Sequence, residues 1–192
     1  MKKVRIGIFI SGAGSNAKKI ALYFNNHTQI EVVKIISNYF ETPLQYDAEV
    51  GHLVTCVSSK EMTSDDNFFE TCREEFDYII LAGYLKLIPQ KLIEIFQNKI
   101  INIHPAILPN YGGKGMYGMN VHRAVLENNE KQSGITIHFV NEIYDSGAFI
   151  AQLYTPIENC QTPEEIQKAV QVLEHAYYPI VIEKTILNNL TK

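Results

Sequence analysis

The chain has 192 residues, a formal net charge of −4 and 46% hydrophobic residues, as expected for a globular protein that can form a core. Without a basic block, the sequence does not predict general nucleic-acid binding, and its first apolar run is too short to cross a membrane. The three cysteines, Cys56, Cys72 and Cys160, are too widely spaced to indicate a disulfide framework or a zinc site. We therefore expect a cytoplasmic protein without a bound metal.

The first half of the chain alternates between strand and helix patterns. Apolar runs predict four buried strands, at 4–10, 30–37, 53–57 and 78–82. Between and after these strands, helices are predicted at 17–24, at about 43–50, at 63–75 and at 89–96. Because such alternation implies right-handed crossovers, we predict an open, mostly parallel α/β sheet within a single domain covering 1–192.

The second half departs from this alternation. The segment 110–118 contains four glycines and no apolar period, which predicts a loop, and a short helix follows at 121–127. Period-two alternation predicts a strand at 134–140, and another strand is predicted at 148–154. A last helix is expected to run to about residue 188, with a possible break at Pro179. Its predicted start is a capping box formed by Thr162, Pro163 and Glu165.

The run Ile100–Pro109 is the strongest candidate for chemistry. Its isoleucines predict a buried strand, which Pro105 should end. Asn102 and His104 are two residues apart, so they point to the same side of this strand near its carboxyl end. Ligands of open α/β sheets bind at that edge. A polar pair satisfied by neighbouring backbone is the alternative, but the position of the pair favours an active site.

A second candidate site is the glycine loop, Ser11-Gly-Ala-Gly-Ser-Asn16, between the first strand and the first helix. The amide groups of a helix N-terminus and the close approach that glycine permits favour phosphate binding there. The loop matches neither a P-loop nor a dinucleotide fingerprint. A tight turn with Ser15 or Asn16 as the helix cap is an equally good interpretation of this segment alone.

Taken together, these motifs resemble the phosphoribosylglycinamide formyltransferases, folate-dependent enzymes of purine synthesis. The resemblance covers nearly the whole chain and implies a Rossmann-like formyltransferase fold. It is carried by the following segments in order: 11–16, Leu81-Ala-Gly-Tyr84, 101–109, His138-Phe-Val140, Asp145-Ser-Gly147 and Glu174-His-Ala-Tyr-Tyr-Pro179. The wider formyltransferase family shares the Asn-x-His-Pro motif and the later aspartate, whereas the glycine loop is typical of the glycinamide branch.

The resemblance implies a role for each matching residue. The implied catalytic residues are Asn102, His104 and Asp145, with His138 as a supporting residue. The implied glycinamide ribonucleotide ligands are Gly14, Ser15, Asn16, Gln171 and Glu174. The implied contacts of the cosubstrate 10-formyltetrahydrofolate are Leu85, Lys86, Leu87, Ile88, Asn141, Glu142, Ile143 and Tyr144. The family also leads us to expect a monomer or weak homodimer.

Three departures from the family pattern affect the expected contacts. Ala13 stands where the family often has asparagine, so one side-chain contact is missing. No arginine occurs at 63–67, where the family often places a folate ligand, and Lys60 is the nearest basic residue. The loop 112–118 is longer than in many members.

The implied reaction is attack of a primary amine on a formyl carbonyl, which produces a tetrahedral intermediate with an oxyanion. Asn102 can donate a hydrogen bond to that oxygen, and a protonated His104 can donate a stronger one. A nearby carboxylate favours the imidazolium ion, so we predict that Asp145 raises the pKa of His104. Proton transfer between the two nitrogens could pass through Asp145 and water.

Three other functions share part of this pattern. A methionyl-tRNA formyltransferase would have a C-terminal tRNA-binding domain and a more basic surface, which the net charge of −4 and the end at Lys192 disfavour. A formyltetrahydrofolate deformylase would have an N-terminal regulatory domain, whereas the first strand here begins at Val4. A non-catalytic nucleotide-binding domain has no need of the Asn102, His104 and Asp145 set.

Overall fold

The computed structural model describes residues 2–190. The chain divides into two compact units, Met1–Ile101 and Asn102–Lys192, which are described separately. The division falls within one strand, Ile100–His104, so this strand contributes residues to both units. The prediction of a single domain covering 1–192 stays a prediction.

The first unit is built from parallel strands and the helices that connect them. Its strands are β1 (Val4–Ile10), β2 (Ile30–Ser37), β3 (Val54–Cys56), β4 (Tyr78–Leu81) and the start of β5 (Ile100–His104). Its helices are α1 (Ser15–Phe24), α2 (Ser59–Ser64), α3 (Asp66–Glu75) and α4 (Gln90–Ile95), with 3₁₀ turns at Pro43–Tyr46 and Gly51–Leu53. The strand order is β3-β2-β1-β4-β5, and β1 pairs in parallel with both β2 and β4.

Apolar runs explain why the central strands form as predicted. Ile6, Ile8 and Ile10 of β1 are fully buried, as are Ile79 and Ile80 of β4. A strand that is covered on both faces needs apolar side chains at consecutive positions rather than alternating ones. The predicted bounds of β1 and β2 are confirmed.

Three predicted helices of the first unit need correction. The helix predicted at 63–75 is two helices, because Asp65 ends α2 and its carboxylate caps α3 by accepting a hydrogen bond from Asn67 N–H at 2.8 Å. The helix predicted at 43–50 is only a 3₁₀ turn, Pro43–Tyr46. Helix α1 begins at Ser15, and its N-cap is Gly14, which has no side chain; a cap by Ser15 or Asn16 is therefore wrong.

The second unit contains the end of β5, then α5 (Met119–Glu127), β6 (Gln132–Phe139), β7 (Phe149–Pro156) and α6 (Pro163–Leu190). Its strand order is β5-β6-β7, and β6 and β7 are antiparallel neighbours. The loop predicted at 110–118 is confirmed. The molecule therefore has a mostly parallel, open α/β sheet of the Rossmann-like type.

Helix α6 runs without interruption from Pro163 to Leu190, so the predicted break at Pro179 is wrong. Pro179 is buried within the helix, next to the fully buried Tyr178, and the helix continues through it although a proline has no N–H to donate to the helix. The capping box at its start is confirmed: Glu165 N–H donates to Thr162 Oγ1 at 3.2 Å, and Thr162 N–H donates to Glu165 Oε2 at 3.2 Å. Within residues 2–190, no helix has the length and apolar character needed to cross a membrane.

Candidate active site

A cluster of polar side chains lies at the carboxyl end of β5 in the second unit. His104, the last residue of the strand, is only 3% exposed, whereas Asn102 is half-buried. Pro105 follows the strand and cannot continue its hydrogen-bond ladder. The prediction that the strand ends in this polar pair is therefore confirmed.

Both ring nitrogens of His104 face specific partners. Its Nε2 lies 2.7 Å from the carbonyl oxygen of Tyr111, an acceptor, so Nε2 carries a hydrogen and donates it. Its Nδ1 lies 3.5 Å from Asp145 Oδ1. When His104 is neutral, the hydrogen on Nε2 leaves Nδ1 unprotonated. Nδ1 is therefore the atom at which this ring can accept and release a proton.

Asp145 is held by a backbone amide as well as by the histidines. Its Oδ2 accepts a hydrogen bond from Gly113 N–H at 2.9 Å, and its Oδ1 lies 3.7 Å from His138 Nε2. The residue has a φ of 56°, in the left-handed region. Strain of this kind persists only where surrounding contacts impose it, and here those contacts include catalytic candidates.

His138 fixes the orientation of Asn102. The Nδ1 of His138 lies 2.8 Å from the carbonyl oxygen of Phe139, so a neutral ring carries its hydrogen on Nδ1. Its Nε2 then accepts a hydrogen bond from Asn102 Nδ2, 3.1 Å away. One amide hydrogen of Asn102 is thereby used, and the second remains a candidate donor to a substrate oxygen.

The segment Tyr111–Gly113, which we call the clip, contacts both His104 and Asp145 through backbone atoms. Sequence reasoning did not identify it, although its two consecutive glycines were visible. Tyr111 has a φ of 58°, and a Cβ added at Gly112 would lie 2.4 Å from the Leu108 side chain. A larger residue at Gly112 would therefore have to displace the buried Leu108 side chain.

A second missed feature is a buried hydrogen-bond network below the 105–109 turn. Thr136 Oγ1 accepts from Leu108 N–H at 3.0 Å and donates to the Ala106 carbonyl at 2.8 Å. Gln152 Nε2 donates to the Leu108 carbonyl at 2.8 Å. The sequence signal for this network was Thr136, a polar residue on the strand predicted from period-two alternation. These bonds attach the turn that follows His104 to the antiparallel pair of strands.

The pKa of His104 lies below its ordinary value, so the expected net rise is wrong, although Asp145 does act in the predicted direction. Burial lowers the pKa, and this outweighs the Asp145 charge and the Tyr111 carbonyl, both of which raise it. The pKa of Asp145 lies below its ordinary value: burial raises it, but the His138 and His104 rings in their protonated forms, together with the Gly113 amide, lower it by more. At neutral pH the pair is therefore an ionised carboxylate beside a mainly neutral imidazole.

Ser11 anchors the glycine loop of the first unit through its backbone amide and its hydroxyl. Ser11 N–H donates to the Gly83 carbonyl at 3.1 Å, and Ser11 Oγ accepts from Leu85 N–H at 3.0 Å. Ser11 and Gly83 therefore lie together just beyond the carboxyl ends of β1 and β4. Gly14 has a φ of 73°, which favours glycine, and α1 has no side-chain cap. Ser15 and Asn16 are the first residues of α1.

The remaining candidates lie on loops and on α6. In the first unit, Leu85 and Leu87 are 39% and 45% exposed, Lys86 is exposed and Ile88 is buried. In the second unit, Glu142, Ile143 and Tyr144 are exposed and Asn141 is half-buried; its Oδ1 accepts from Ile143 N–H at 3.0 Å. Gln171 and Glu174 are half-buried and lie three residues apart on α6, so they share one face.

Within the described range, no group of three or more His, Cys, Asp or Glu side chains could hold a metal ion.

Comparisons with known proteins identify the family. The Formyl transferase profile matches residues 4–182. The phosphoribosylglycinamide formyltransferase of Bacillus subtilis (strain 168) is 32% identical over an alignment of 197 residues that covers 98% of this chain and 97% of that protein. The chloroplastic phosphoribosylglycinamide formyltransferase of Arabidopsis thaliana is 38% identical over 189 residues, 94% of this chain, and the match spans 65% of that protein's length.

The similarity extends to a solved structure. The crystal structure of phosphoribosylglycinamide formyltransferase from Bacillus halodurans superposes with a TM-score of 0.81 at 29% identity, and the match covers 94% of each chain. Because the profile covers most of the chain and a bacterial relative matches over almost its whole length, this protein belongs to the formyl transferase family.

Proposed function

We propose that this protein transfers a formyl group from 10-formyltetrahydrofolate to the amine of glycinamide ribonucleotide, in purine biosynthesis. The observation that carries the proposal is the buried cluster in which Asp145 Oδ1 lies 3.5 Å from His104 Nδ1 while His138 holds the amide of Asn102. The names of the relatives from B. subtilis and A. thaliana support glycinamide ribonucleotide as the acceptor.

The cluster suits acyl transfer between two amines. Attack of the primary amine on the formyl carbon forms a C–N bond and places negative charge on the formyl oxygen. Asn102 donates its second amide hydrogen to that oxygen. The neutral His104 accepts at Nδ1 the proton that the amine loses. Its Nε2 hydrogen stays on the Tyr111 carbonyl, so the imidazolium donates to the oxyanion from Nδ1, and the charge of Asp145, 3.5 Å away, stabilises it. Collapse breaks the bond to the folate nitrogen, which takes up the proton.

Phosphate binding by the glycine loop is supported by its local structure. Helix α1 has no acidic residue in its first turn and no side-chain cap, so a phosphate meets backbone amides and the positive end of the helix dipole. We assign this role to Gly14, Ser15 and Asn16. Gln171 and Glu174, on one face of α6, are assigned to the ribose hydroxyls.

Folate recognition is assigned to two loops that expose apolar side chains. Leu85 and Leu87 lie on the first, and Ile143, which is 68% exposed, and Tyr144 lie on the second. A flat pterin ring needs such apolar walls, with backbone groups for hydrogen bonding, so the residues present fit this cosubstrate. When bound, it supplies the activated formyl group, and the protein residues hold and orient it.

The cysteines support a reducing compartment such as the cytoplasm. Cys56, Cys72 and Cys160 all carry free thiols, and Cys72 is buried. Burial raises the pKa of the Cys72 thiol to about 12, so this residue stays protonated and unreactive.

The decisive experiment compares formyl transfer with formyl hydrolysis. Purified protein is incubated with 10-formyltetrahydrofolate in the presence or absence of glycinamide ribonucleotide, and tetrahydrofolate, formate and the formylated ribonucleotide are measured. We expect tetrahydrofolate only when the ribonucleotide is present, with an equal amount of formylated product. Formate release without an acceptor would instead identify a deformylase, the alternative function within this family.

A further inference from the structure

The segment 42–47, which we call the brace, lies against the glycine loop in the first unit. The hydroxyl of Thr42 donates a hydrogen bond from Oγ1 to the Gly12 carbonyl oxygen at 2.8 Å, although the two residues are 30 positions apart. Leu44 is buried beside Gly14, where an added Cβ would lie 2.7 Å from the Leu44 side chain. The shape of the loop therefore depends on a distant part of the chain.

The brace also pairs with the first charged residue of α1. Lys18 Nζ lies 2.6 Å from Asp47 Oδ2 and 3.0 Å from Oε2 of Glu49, which stands just after the brace. This ammonium group already has two carboxylate partners, so it adds little free positive charge beside the loop. An anion at the loop therefore depends on backbone N–H groups, and the direction of each peptide group matters.

Thr42 is held in place independently of the loop. It precedes Pro43 and is extended, with a φ of −137° and a ψ of 142°, the conformation that a following proline favours. Its carbonyl accepts a hydrogen bond from Gln45 N–H at 3.1 Å. The side chain is only 1% exposed, and a β-branched side chain is stiff about χ1. The Thr42 hydroxyl is therefore a fixed donor to the loop.

Gly12 is the less restrained partner of this hydrogen bond. It is exposed, and a Cβ added there would meet nothing within 4 Å. The peptide bond between Gly12 and Ala13 is trans, so its C=O and N–H groups point in opposite directions. Because the Gly12 carbonyl faces Thr42, the Ala13 N–H faces away from the brace. Without the Thr42 bond, the freedom of glycine would allow this peptide group to turn and exchange the two directions.

The direction of this peptide group decides how it acts on a bound anion. An N–H group donates to a phosphate oxygen, whereas a carbonyl oxygen carries partial negative charge and repels it. Hydrogen bonds to a charged acceptor are about twice as strong as those between neutral groups, so one reversed peptide group has a measurable effect. By holding the Gly12 carbonyl, Thr42 selects the N–H group for the side of the loop that faces away from the brace.

We propose that Thr42 is a positioning residue for the substrate phosphate and that the N–H of Ala13 is one of the phosphate donors. Thr42 does not touch the substrate; it acts by holding the Gly12 carbonyl, which directs the Ala13 N–H towards the phosphate. The proposal rests on the proposed function, which assigns the phosphate to the residues that follow Ala13, and it adds one amide to that set.

The first test uses inorganic phosphate as the probe and NMR of the backbone amides as the readout. We expect a saturable shift of the Ala13 amide, with a Kd of about millimolar order, as a ligand of this size permits. Shifts of the Ser15 and Asn16 amides without a shift at Ala13 would overturn the assignment of Ala13. Absence of any saturable shift in the loop would overturn the proposal as a whole.

Three variants test the hydroxyl itself. Thr42→Val keeps the shape of the side chain without the hydroxyl and should weaken phosphate binding by about tenfold, the effect of one hydrogen bond to a charged group. Thr42→Ser keeps the hydroxyl and should remain within about threefold of the unchanged protein. Thr71→Val is the matched control: Thr71 Oγ1 donates to the Asn67 carbonyl on α3, also at 2.8 Å, and its loss should leave phosphate affinity unchanged. Equal affinity in Thr42→Val and the unchanged protein would overturn the positioning role.

Thermal unfolding shows whether Thr42 serves only the fold. Gly12 is exposed, so water can replace the lost hydroxyl at its carbonyl, and the valine side chain fills the buried site. The thermal midpoint of Thr42→Val should therefore change little. A clearly lower midpoint with unchanged phosphate affinity would mean that the hydroxyl serves the fold and not a ligand.

Kinetics with glycinamide ribonucleotide distinguish this proposal from the proposed function. Thr42→Val should raise the KM for the ribonucleotide by about tenfold and change kcat by less than about twofold, because the groups around His104 are untouched. An unchanged KM, when the unchanged protein does transfer the formyl group, would overturn this proposal alone. If the unchanged protein forms no formylated ribonucleotide, the proposed function fails, and the phosphate titration still decides the role of Thr42.

Discussion

The cluster around His104 and the glycine loop at 11–16 are both polar, but they are built from different atoms. The cluster uses buried side chains, and two of its groups, His104 and Asp145, have shifted pKa values. The loop contains no titratable side chain and depends on backbone amides and on the left-handed Gly14. The comparison teaches that the cluster should be sensitive to chemical substitution, whereas the loop should be sensitive to changes in backbone shape.

The largest effect is expected from substitution within the cluster. His104→Ala should lower kcat by about 1,000-fold, because it removes both the proton acceptor and a donor to the oxyanion. Asp145→Asn should have an effect of the same order, and the double variant should lose less than the product of the two single losses, because the pair acts as a unit. Steady-state kinetics of all three variants is the measurement, and KM should change much less than kcat.

The same variants test the electrostatics directly. NMR titration of the His104 ring should give a pKa below the ordinary value, and Asp145→Asn should lower it further, since the carboxylate raises it. If the Asp145→Asn variant has the same His104 pKa as the unchanged protein, the two groups are not coupled. If the loss of kcat in the double variant equals the product of the two single losses, His104 and Asp145 likewise act independently.

The next effect is a loss of folding stability in acid, which we expect from His122 in the second unit. His122 on α5 is 2% exposed, and burial, with a smaller contribution from the His104 charge, lowers its pKa to about 4 from 6.5. The unfolded chain therefore binds more protons than the folded one in this range. The contribution is fully present above pH 6.5 and is lost as the pH falls towards 4, a loss of about 3 kcal/mol.

Denaturant unfolding at several pH values measures this contribution. His122→Leu should flatten the pH dependence between 6.5 and about 4, since leucine does not titrate. A variant that keeps the full acid slope would show that other groups cause it.

A moderate effect is expected when the shape of the loop is changed. Gly14→Val should raise the KM for glycinamide ribonucleotide by about tenfold or more and leave folate binding nearly unchanged. The reason is geometric: φ is 73°, and an added Cβ would lie 2.7 Å from the Leu44 side chain. Steady-state kinetics gives the KM and calorimetry gives the affinity for each ligand; equal weakening of both ligands would indicate general misfolding instead.

The smallest effect is expected one residue earlier, where only the side chain changes. Ala13 is exposed, and Ala13→Asn introduces the residue that the family resemblance leads us to expect at this position. If backbone amides dominate phosphate binding, KM should fall by less than about threefold. This substitution is the matched control for Gly14→Val. A tenfold or larger gain would show that the loop depends on side chains after all.

Much of this comparison was visible in the sequence. Apolar runs predicted β1 and β2 because strands covered on both faces need consecutive apolar residues. Asn102 and His104 stood out because polar residues interrupt such a run immediately before a proline. The glycine loop was recognised by its small residues, which leave the backbone amides accessible to a ligand.

Other features depend on distant contacts that a linear pattern does not contain. The pKa of His104 is set by how much solvent the folded chain excludes, and the opposing Asp145 charge could not be weighed against that burial. The sequence carried a signal for the break at Asp65, because aspartate favours an N-cap over a helix interior. The break was missed because Ser64, Asp65 and Asp66 are all possible caps, and the pattern alone does not select one of them. The clip was missed because it acts through a carbonyl and an amide, which every residue has.

The hydrogen bond from His104 Nε2 to the Tyr111 carbonyl has an isotopic consequence. The 2.7 Å bond lies in a buried part of the second unit, so the hydrogen on Nε2 should exchange with solvent slowly. After transfer into deuterium oxide, each proton that Nδ1 takes up should be deuterium, while Nε2 still carries the light isotope for some time. Of the two ring nitrogens, only Nδ1, which faces Asp145, would then contribute to a solvent isotope effect recorded during that interval.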